Sequence, residues 1–199
     1  MRRIIASEFV SADGYVAGPK EDMAWVMNRF NDEMGKYAGD LMASMDTVLF
    51  GRVTYQIMAG AWPNMTEQQS PGADKMNSVP KVVLSKTLKK APWGKYEPAT
   101  VIGDEVEQKI MELKQKPGKN IVVYGSPTAV QNLTASGLID EYHLLVHPVF
   151  LGAGRPLFRS MERPVDLKLV KSQTYANGVS VLRYERASAG GSPLEVGGA

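Results

Sequence analysis

"TVLFGRVTYQIM", Thr47 to Met58, sets a short apolar run directly against a glycine, an arginine and a helical pattern. "TVLF" reads as a buried strand, and a helix from about Arg52 to Ala59 follows it without an intervening loop. "IVVYGSPTAVQNL", Ile121 to Leu133, repeats the arrangement: a strand, then Gly125, then Ser126 as N-cap and Pro127 at the first helical position. Two strand–glycine–helix junctions point to an α/β protein with a parallel sheet.

Working outward, "RIIASEFV" is near-continuously apolar and reads as a buried strand. "SADGYVAG" is a loop that turns at Asp13-Gly14. Val26, Phe30, Met34, Tyr37 and Leu41 recur at helical steps and predict one long amphipathic helix. Trp62 to Val79 reads as a surface excursion with a helical turn at most. "KVVLS" and "ATVIG" are further strands. Asp104 is expected to cap a helix with Val106, Ile110 and Leu113 on its apolar face, and Glu107 to complete a capping box. "DEYHLLVHPVF" is a strand with Tyr142, Leu144 and Val146 on one side and His143, Leu145 and His147 on the other. Asn177-Gly178 is a strong hairpin signal between two final strands. The predicted architecture is a mainly parallel sheet, layered between helices, with an antiparallel C-terminal hairpin.

A chain of 199 residues suits one domain with a sizeable core, or at most two small ones. No internal boundary is visible, so residues 1–186 read as a single domain. The tail, residues 187–199, is small, poor in hydrophobes and expected to be flexible. A net charge of +2 gives no reason to expect a nucleic-acid or membrane partner. The absence of cysteine excludes disulfides, cysteine nucleophiles and cysteine-bound metals. The N-terminal apolar run is broken early by Ser7 and Glu8, and no stretch approaches the roughly 18 apolar residues of a membrane helix. The expected location is the cytoplasm.

The chemistry suggested by the junctions is anion binding. The first N–H groups of a helix lack intrahelical partners, and the helix dipole adds partial positive charge there. Glycine admits close approach, Arg52 adds charge, and Thr54 and Ser126 add hydroxyls. Two such starts side by side, on one side of the sheet, would suit the linked phosphates of a dinucleotide. The competing reading is that strand-to-helix turns favour glycine and capping residues for structural reasons alone. No G-x-G-x-x-G and no Walker lysine motif is present. His143 and His147 share a strand face without a carboxylate at ligand spacing, so a structural role is expected for both and no metal site is expected. Met42, Met45, Met58 and Met111 read as core filler.

"SADGYVAG", "DTVLFGRVTY", "KVVLS", "IVVYGSPTAV" and "GLIDEYHLLVHPVFLGAGRPLF", in this order, resemble the dihydrofolate reductase superfamily. The resemblance is to the branch that includes the reductase domain of bacterial riboflavin biosynthesis, and it covers about Arg3 to Arg186. It implies a dihydrofolate reductase-like α/β/α fold, an NADPH-dependent oxidoreductase and a homodimer. It places Gly51, Arg52 and Thr54 at a first phosphate-binding helix start and Gly125, Ser126 and Thr128 at a second. Ser85 and Lys86 fall where the adenosine 2′-phosphate is met, and Gly103 joins the cofactor side. Ala6 and Val16 are expected to border the nicotinamide, with Tyr15 beside them. Tyr15, Trp25, Met58 and Tyr124 are the expected substrate-side residues. Asp22 is the candidate catalytic acid, and Asp13 the alternative.

The implied substrate is a small heterocycle, and the nearest named activity is 5-amino-6-(5-phosphoribosylamino)uracil reductase. Two departures argue against folate: no arginine follows Met58 in "AGAWPNM", and Val146 stands where a threonine is expected. Alternatives are a dihydrofolate reductase, a flavin-dependent enzyme using the same pocket, and a non-catalytic NADPH-binding sensor or scaffold.

Overall fold

In the computed structural model, which describes residues 1–159 and 161–187, the first apolar run becomes strand β1 (Ile4–Ser11) at the centre of the sheet. Its central position explains why it lacks polar–apolar alternation: both faces are covered. The next segments are β2 (Tyr15–Ala17), α1 (Ala24–Met27), α2 (Asp32–Ser44), β3 (Met45–Gly51), α3 (Arg52–Ala61), α4 (Ala73–Ser78), β4 (Lys81–Leu84) and β5 (Thr100–Ile102). They are followed by α5 (Val106–Gln115), β6 (Asn120–Tyr124), α6 (Pro127–Ala135), β7 (Glu141–His147), β8 (Arg155–Pro156), β9 (Leu167–Thr174) and β10 (Ser180–Arg186).

The main sheet has eight strands in the order β5-β4-β3-β6-β1-β7-β10-β9. Pairing is parallel from β5 to β7, and β10 runs antiparallel to both β7 and β9. Alternating residues feed two cores. Ile5, Val48 and Val122 pack with Met34, Tyr37 and Leu41 of α2, Tyr55 of α3 and Met76 of α4. Ile4, Ala6, Ile121 and Val123 pack with Ile110 of α5 and Val130 and Leu133 of α6. Helices thus cover both faces, giving the α/β/α layering and C-terminal hairpin predicted.

The helical pattern between Val26 and Leu41 is split. Asn31 adopts an extended conformation and its side chain caps Met34 N–H at 3.0 Å, so α2 starts afresh. Phe30 falls in the break and is half exposed, while Val26, Met34, Tyr37 and Leu41 stay buried. Residues 73–78 are more than a surface excursion, because α4 buries Ala73, Met76 and Asn77. The Asp104 capping box does not form. Glu105 takes a left-handed conformation before α5, and Glu107 accepts a hydrogen bond from Ser136 instead. The hairpin closes through a Tyr175–Gly178 turn with Gly178 at φ +83, a longer loop than Asn-Gly alone requires. Ala187 N–H bonds Asp166 O at 2.9 Å; the rest of the expected tail lies outside the described residues.

Candidate active site

β3 and β6 are parallel neighbours, so both end at the same edge of the sheet. From there α3 and α6 run off onto opposite faces, because their right-handed connections travel in opposite directions: β3 leads to β4, and β6 leads past β1 to β7. The expectation that both helices lie on one side of the sheet is therefore corrected. Their starts nevertheless touch. Divergent connections open a crevice at the strand ends, the topological switch point of an α/β sheet.

The contact is specific. Ser126 Oγ accepts the Gly51 N–H at 2.9 Å and donates to Thr54 Oγ1 at 2.6 Å. A side chain at Gly51 would place Cβ 2.7 Å from Ser126 Oγ, and one at Gly125 would meet Thr54 at 3.2 Å. Gly125 and Ser126 are both left-handed, at φ +57 and +66. For serine this conformation is strained by about 1–3 kcal/mol and persists only where the surroundings enforce it. Ser126 thus spends its hydroxyl on α3 and does not cap its own helix. Gly51 supplies no side-chain cap to α3 either. Both helix starts keep backbone donors free of side-chain caps.

A cleft of about 670 Å³ opens over these turns and is lined by Gly51, Arg52, Ser85, Lys86, Gly103, Ser126 and Thr128, with Arg155 also at its wall. Seven of the residues expected on the cofactor side therefore meet in one place. Arg52 is exposed and bonds Gln56 Oε1 at 3.1 Å. Lys86 is exposed at the end of β4. Ser85 Oγ accepts Leu88 N–H at 3.0 Å and so shapes that turn. A Cβ on Gly103 would lie 3.0 Å from the Ser85 carbonyl oxygen, so glycine lets β5 end this close without displacing that turn. Thr54 and Gly125 stand behind this lining, holding the turns together.

Other expected residues sit differently. Ala6 is wholly enclosed mid-strand, paired with Val123 and Tyr142, and its side chain reaches no open space. Val16 is buried in the same core. Tyr15 pairs with Pro156 and its hydroxyl lies 3.5 Å from Gly152 O. Trp25 is buried edge-on against His147, with Nε1 donating to Asp22 O at 3.1 Å. Met58 and Tyr124 both pack at the rim of the α2/α3 core.

Both candidate acids are engaged with backbone. Asp22 is exposed, and its carboxylate accepts Ala24 N–H at 2.9 Å as a cap. Asp13 accepts Ser11 Oγ at 2.6 Å and Gly152 N at 2.7 Å; these bonds hold its carboxyl below the usual carboxylate range. It fastens two loops and stays ionised.

The group that sequence reasoning missed is Glu8. It is 2% exposed, its Oε1 has no partner, and burial raises its carboxyl well above the ordinary value. The Gly125 N–H, which favours the ionised form, is the weaker influence. The only signal was an acidic residue interrupting a buried strand. On the opposite face, Ser7 Oγ lies 3.0 Å from Tyr37 OH, Tyr37 OH 2.9 Å from His143 Nδ1, and His143 Nε2 2.6 Å from Glu141 Oε1. Ser7 is the register partner of Tyr124, so this buried chain ends beside an expected substrate-side residue. His147 Nε2 is also buried without a partner, and burial lowers the imidazole's basicity.

The RibD C-terminal domain family model matches residues 2–181. YyaP, an uncharacterized protein of Bacillus subtilis, is 30% identical over 188 residues, covering 92% of this chain and 94% of YyaP. A putative riboflavin biosynthesis protein from Shewanella sp. PV-4 shares the fold with a TM-score of 0.76 at 24% identity, covering 94% of this chain and 99% of that one. Dihydrofolate reductase from Enterococcus faecalis, solved with NADP(H), aligns with a TM-score of 0.58 at 13% identity, covering 94% and 97%. The crevice between β3 and β6 and the parallel sheet with its terminal hairpin accord with a match that spans nearly every strand: the chain belongs to the RibD C-terminal domain family.

Proposed function

We propose that this protein is an NADPH-dependent reductase of a small heterocyclic substrate, with 5-amino-6-(5-phosphoribosylamino)uracil reduction the nearest named activity. The observation that carries this reading is the contact of the two helix starts at Gly51 and Ser126 over one cleft. The residues fit the cofactor's anions. Uncapped N–H groups at both turns suit the pyrophosphate, with Arg52 and Thr128 at their rim. Lys86 and Ser85, one strand further out, suit a 2′-phosphate and would favour NADPH over NADH. When bound, NADPH supplies the hydride. The protein's task is to align the rings, exclude water and deliver a proton to the accepting atom.

For the proton, the Ser7–Tyr37–His143–Glu141 chain is the better candidate once Asp13 and Asp22 are assigned to loops. It reaches from half-buried Glu141 to the register partner of Tyr124. The homodimer belongs to the same proposal. All of β9 is exposed, including Leu167, Leu169 and Val170, and an apolar edge strand of this kind supports pairing with a second copy. Calorimetric titration with NADPH and NADH tests the cofactor, and NADPH absorbance loss across pyrimidine, pterin and quinone substrates tests turnover. Binding without any turnover would favour a sensor.

A further inference from the structure

Buried polar atoms without partners are rare, and each calls for a physical explanation. Glu8 Oε1 is such an atom, on a carboxyl that is 2% exposed. Its neighbours on the same face of β1, Ile4 and Ala6, are apolar members of the α5/α6 core. A leucine at position 8 would continue that core at lower cost, because burying a carboxyl short of hydrogen bonds is expensive.

The place of this carboxyl is informative. Pairing of β1 with β6 ends at Ser7 opposite Tyr124. One residue further, Glu8 lies against Gly125, the turn that starts α6, whose N–H approaches its carboxyl. By alternation Glu8 points to the α5/α6 face. The cleft opens on that face too, since Leu84, Ile102 and Val106 line it and pack in the same core. An extended dinucleotide with its phosphates at the two helix starts can run outward in two directions. One leads over β4 and β5 to Ser85, Lys86 and Gly103. The other leads over β6 toward β1, the next strand, where Glu8 stands beside Gly125 and just beyond the cleft's lining.

Building on the reductase reading, we propose that Glu8 is a cofactor-binding residue whose carboxyl pairs with the carboxamide of the nicotinamide ring. A neutral carboxyl and a primary amide are reciprocal partners: the O–H donates to the amide oxygen and the second oxygen accepts from the amide nitrogen. The orphaned Oε1 gains its partner only when the ring is in place. Burial supplies the neutral form, and an ionised Glu8 would oppose phosphate anions at the adjoining turn.

The test compares NADPH with 2′-phospho-ADP-ribose, which lacks only the nicotinamide, by calorimetric titration of wild type, Glu8→Leu and Glu8→Gln. Thermal melting of each unliganded protein is the control for folding. Glu8→Leu is expected to melt at or above the wild-type temperature and to bind NADPH at least about tenfold more weakly, since each of the two lost hydrogen bonds is worth up to about that factor. Its affinity for 2′-phospho-ADP-ribose is expected to be unchanged, and Glu8→Gln is expected to keep NADPH affinity. Equal NADPH affinity in wild type and Glu8→Leu would overturn the proposal while leaving the cofactor reading intact. Equal losses for both ligands would also overturn it, making Glu8 a support of the phosphate turns. If wild type binds neither ligand, the reductase reading fails and the proposal fails with it.

Discussion

Ser126 accepts the Gly51 N–H at 2.9 Å across 75 residues of sequence. This bond, with the 2.6 Å bond from Ser126 to Thr54, joins two helices that leave the sheet on opposite faces. Ser126→Ala strands a buried Gly51 N–H and should cost about 1–3 kcal/mol. Gly51→Ala drives a methyl within 2.7 Å of Ser126 Oγ and should push the two turns apart. Both variants should lower stability to chemical denaturation and weaken NADPH binding together. Wild-type stability in both would mean the bridge contributes nothing.

Arg52 separates binding from stability. It is exposed and its one hydrogen bond within the described residues is to Gln56. Arg52→Ala should change folding stability by less than about 0.5 kcal/mol. It should weaken NADPH by about 1–3 kcal/mol, the scale of a lost charge-assisted hydrogen bond. Unchanged NADPH affinity would reduce the junction to a turn.

Glu8 gives a pH signature to stability. Burial raises its folded-state pKa well above the ordinary 4.5. The folded protein therefore holds a proton that the unfolded chain releases above that value. Its contribution is fully present below 4.5 and is lost as pH rises toward the folded-state pKa. Glu8→Gln removes this dependence. The stability gained by Glu8→Gln over wild type, measured by urea denaturation, should grow from pH 5 to pH 8. A difference constant over that range would show that Glu8 is not buried as a neutral acid.

The elements were legible because strand–glycine–helix junctions are strong local signals, and the Asn177-Gly178 hairpin likewise. The break at Asn31 was hidden because Val26, Met34 and Tyr37 remain buried on either side of it, so the hydrophobic spacing carries through. Seven cofactor-side residues converge because parallel strands bring their carboxyl ends together. The faces of α3 and α6 were misread, since handedness depends on strand order, which no local pattern contains. Ala6 faces the α5/α6 core and is wholly enclosed, because strand alternation and the cover of α6 leave it no open space. The surroundings of the two candidate acids were hidden for a related reason. Asp13 and Asp22 look alike in sequence to any loop carboxylate, and only tertiary contacts show that both fasten backbone.

Tyr37 tests the proton route. It is 7% exposed, joins Ser7 to His143, and burial raises its hydroxyl's pKa, so it stays protonated at neutral pH. Tyr37→Phe breaks the chain with little change of shape. It should reduce turnover of the ribosylaminouracil phosphate by about a hundredfold or more, the lower end of a general acid's contribution, while leaving NADPH affinity within twofold of wild type, a difference of about 0.4 kcal/mol. Equal turnover in the two proteins would clear the chain of that role.

The most direct measurement is calorimetric titration of the wild-type protein with NADPH, with NADH as the comparison. The account predicts saturable binding of one NADPH per chain, with NADH weaker by about tenfold or more for the missing 2′-phosphate contacts. No saturable heat with NADPH up to millimolar concentration would contradict it, because the touching helix starts at Gly51 and Ser126 would then hold no anion.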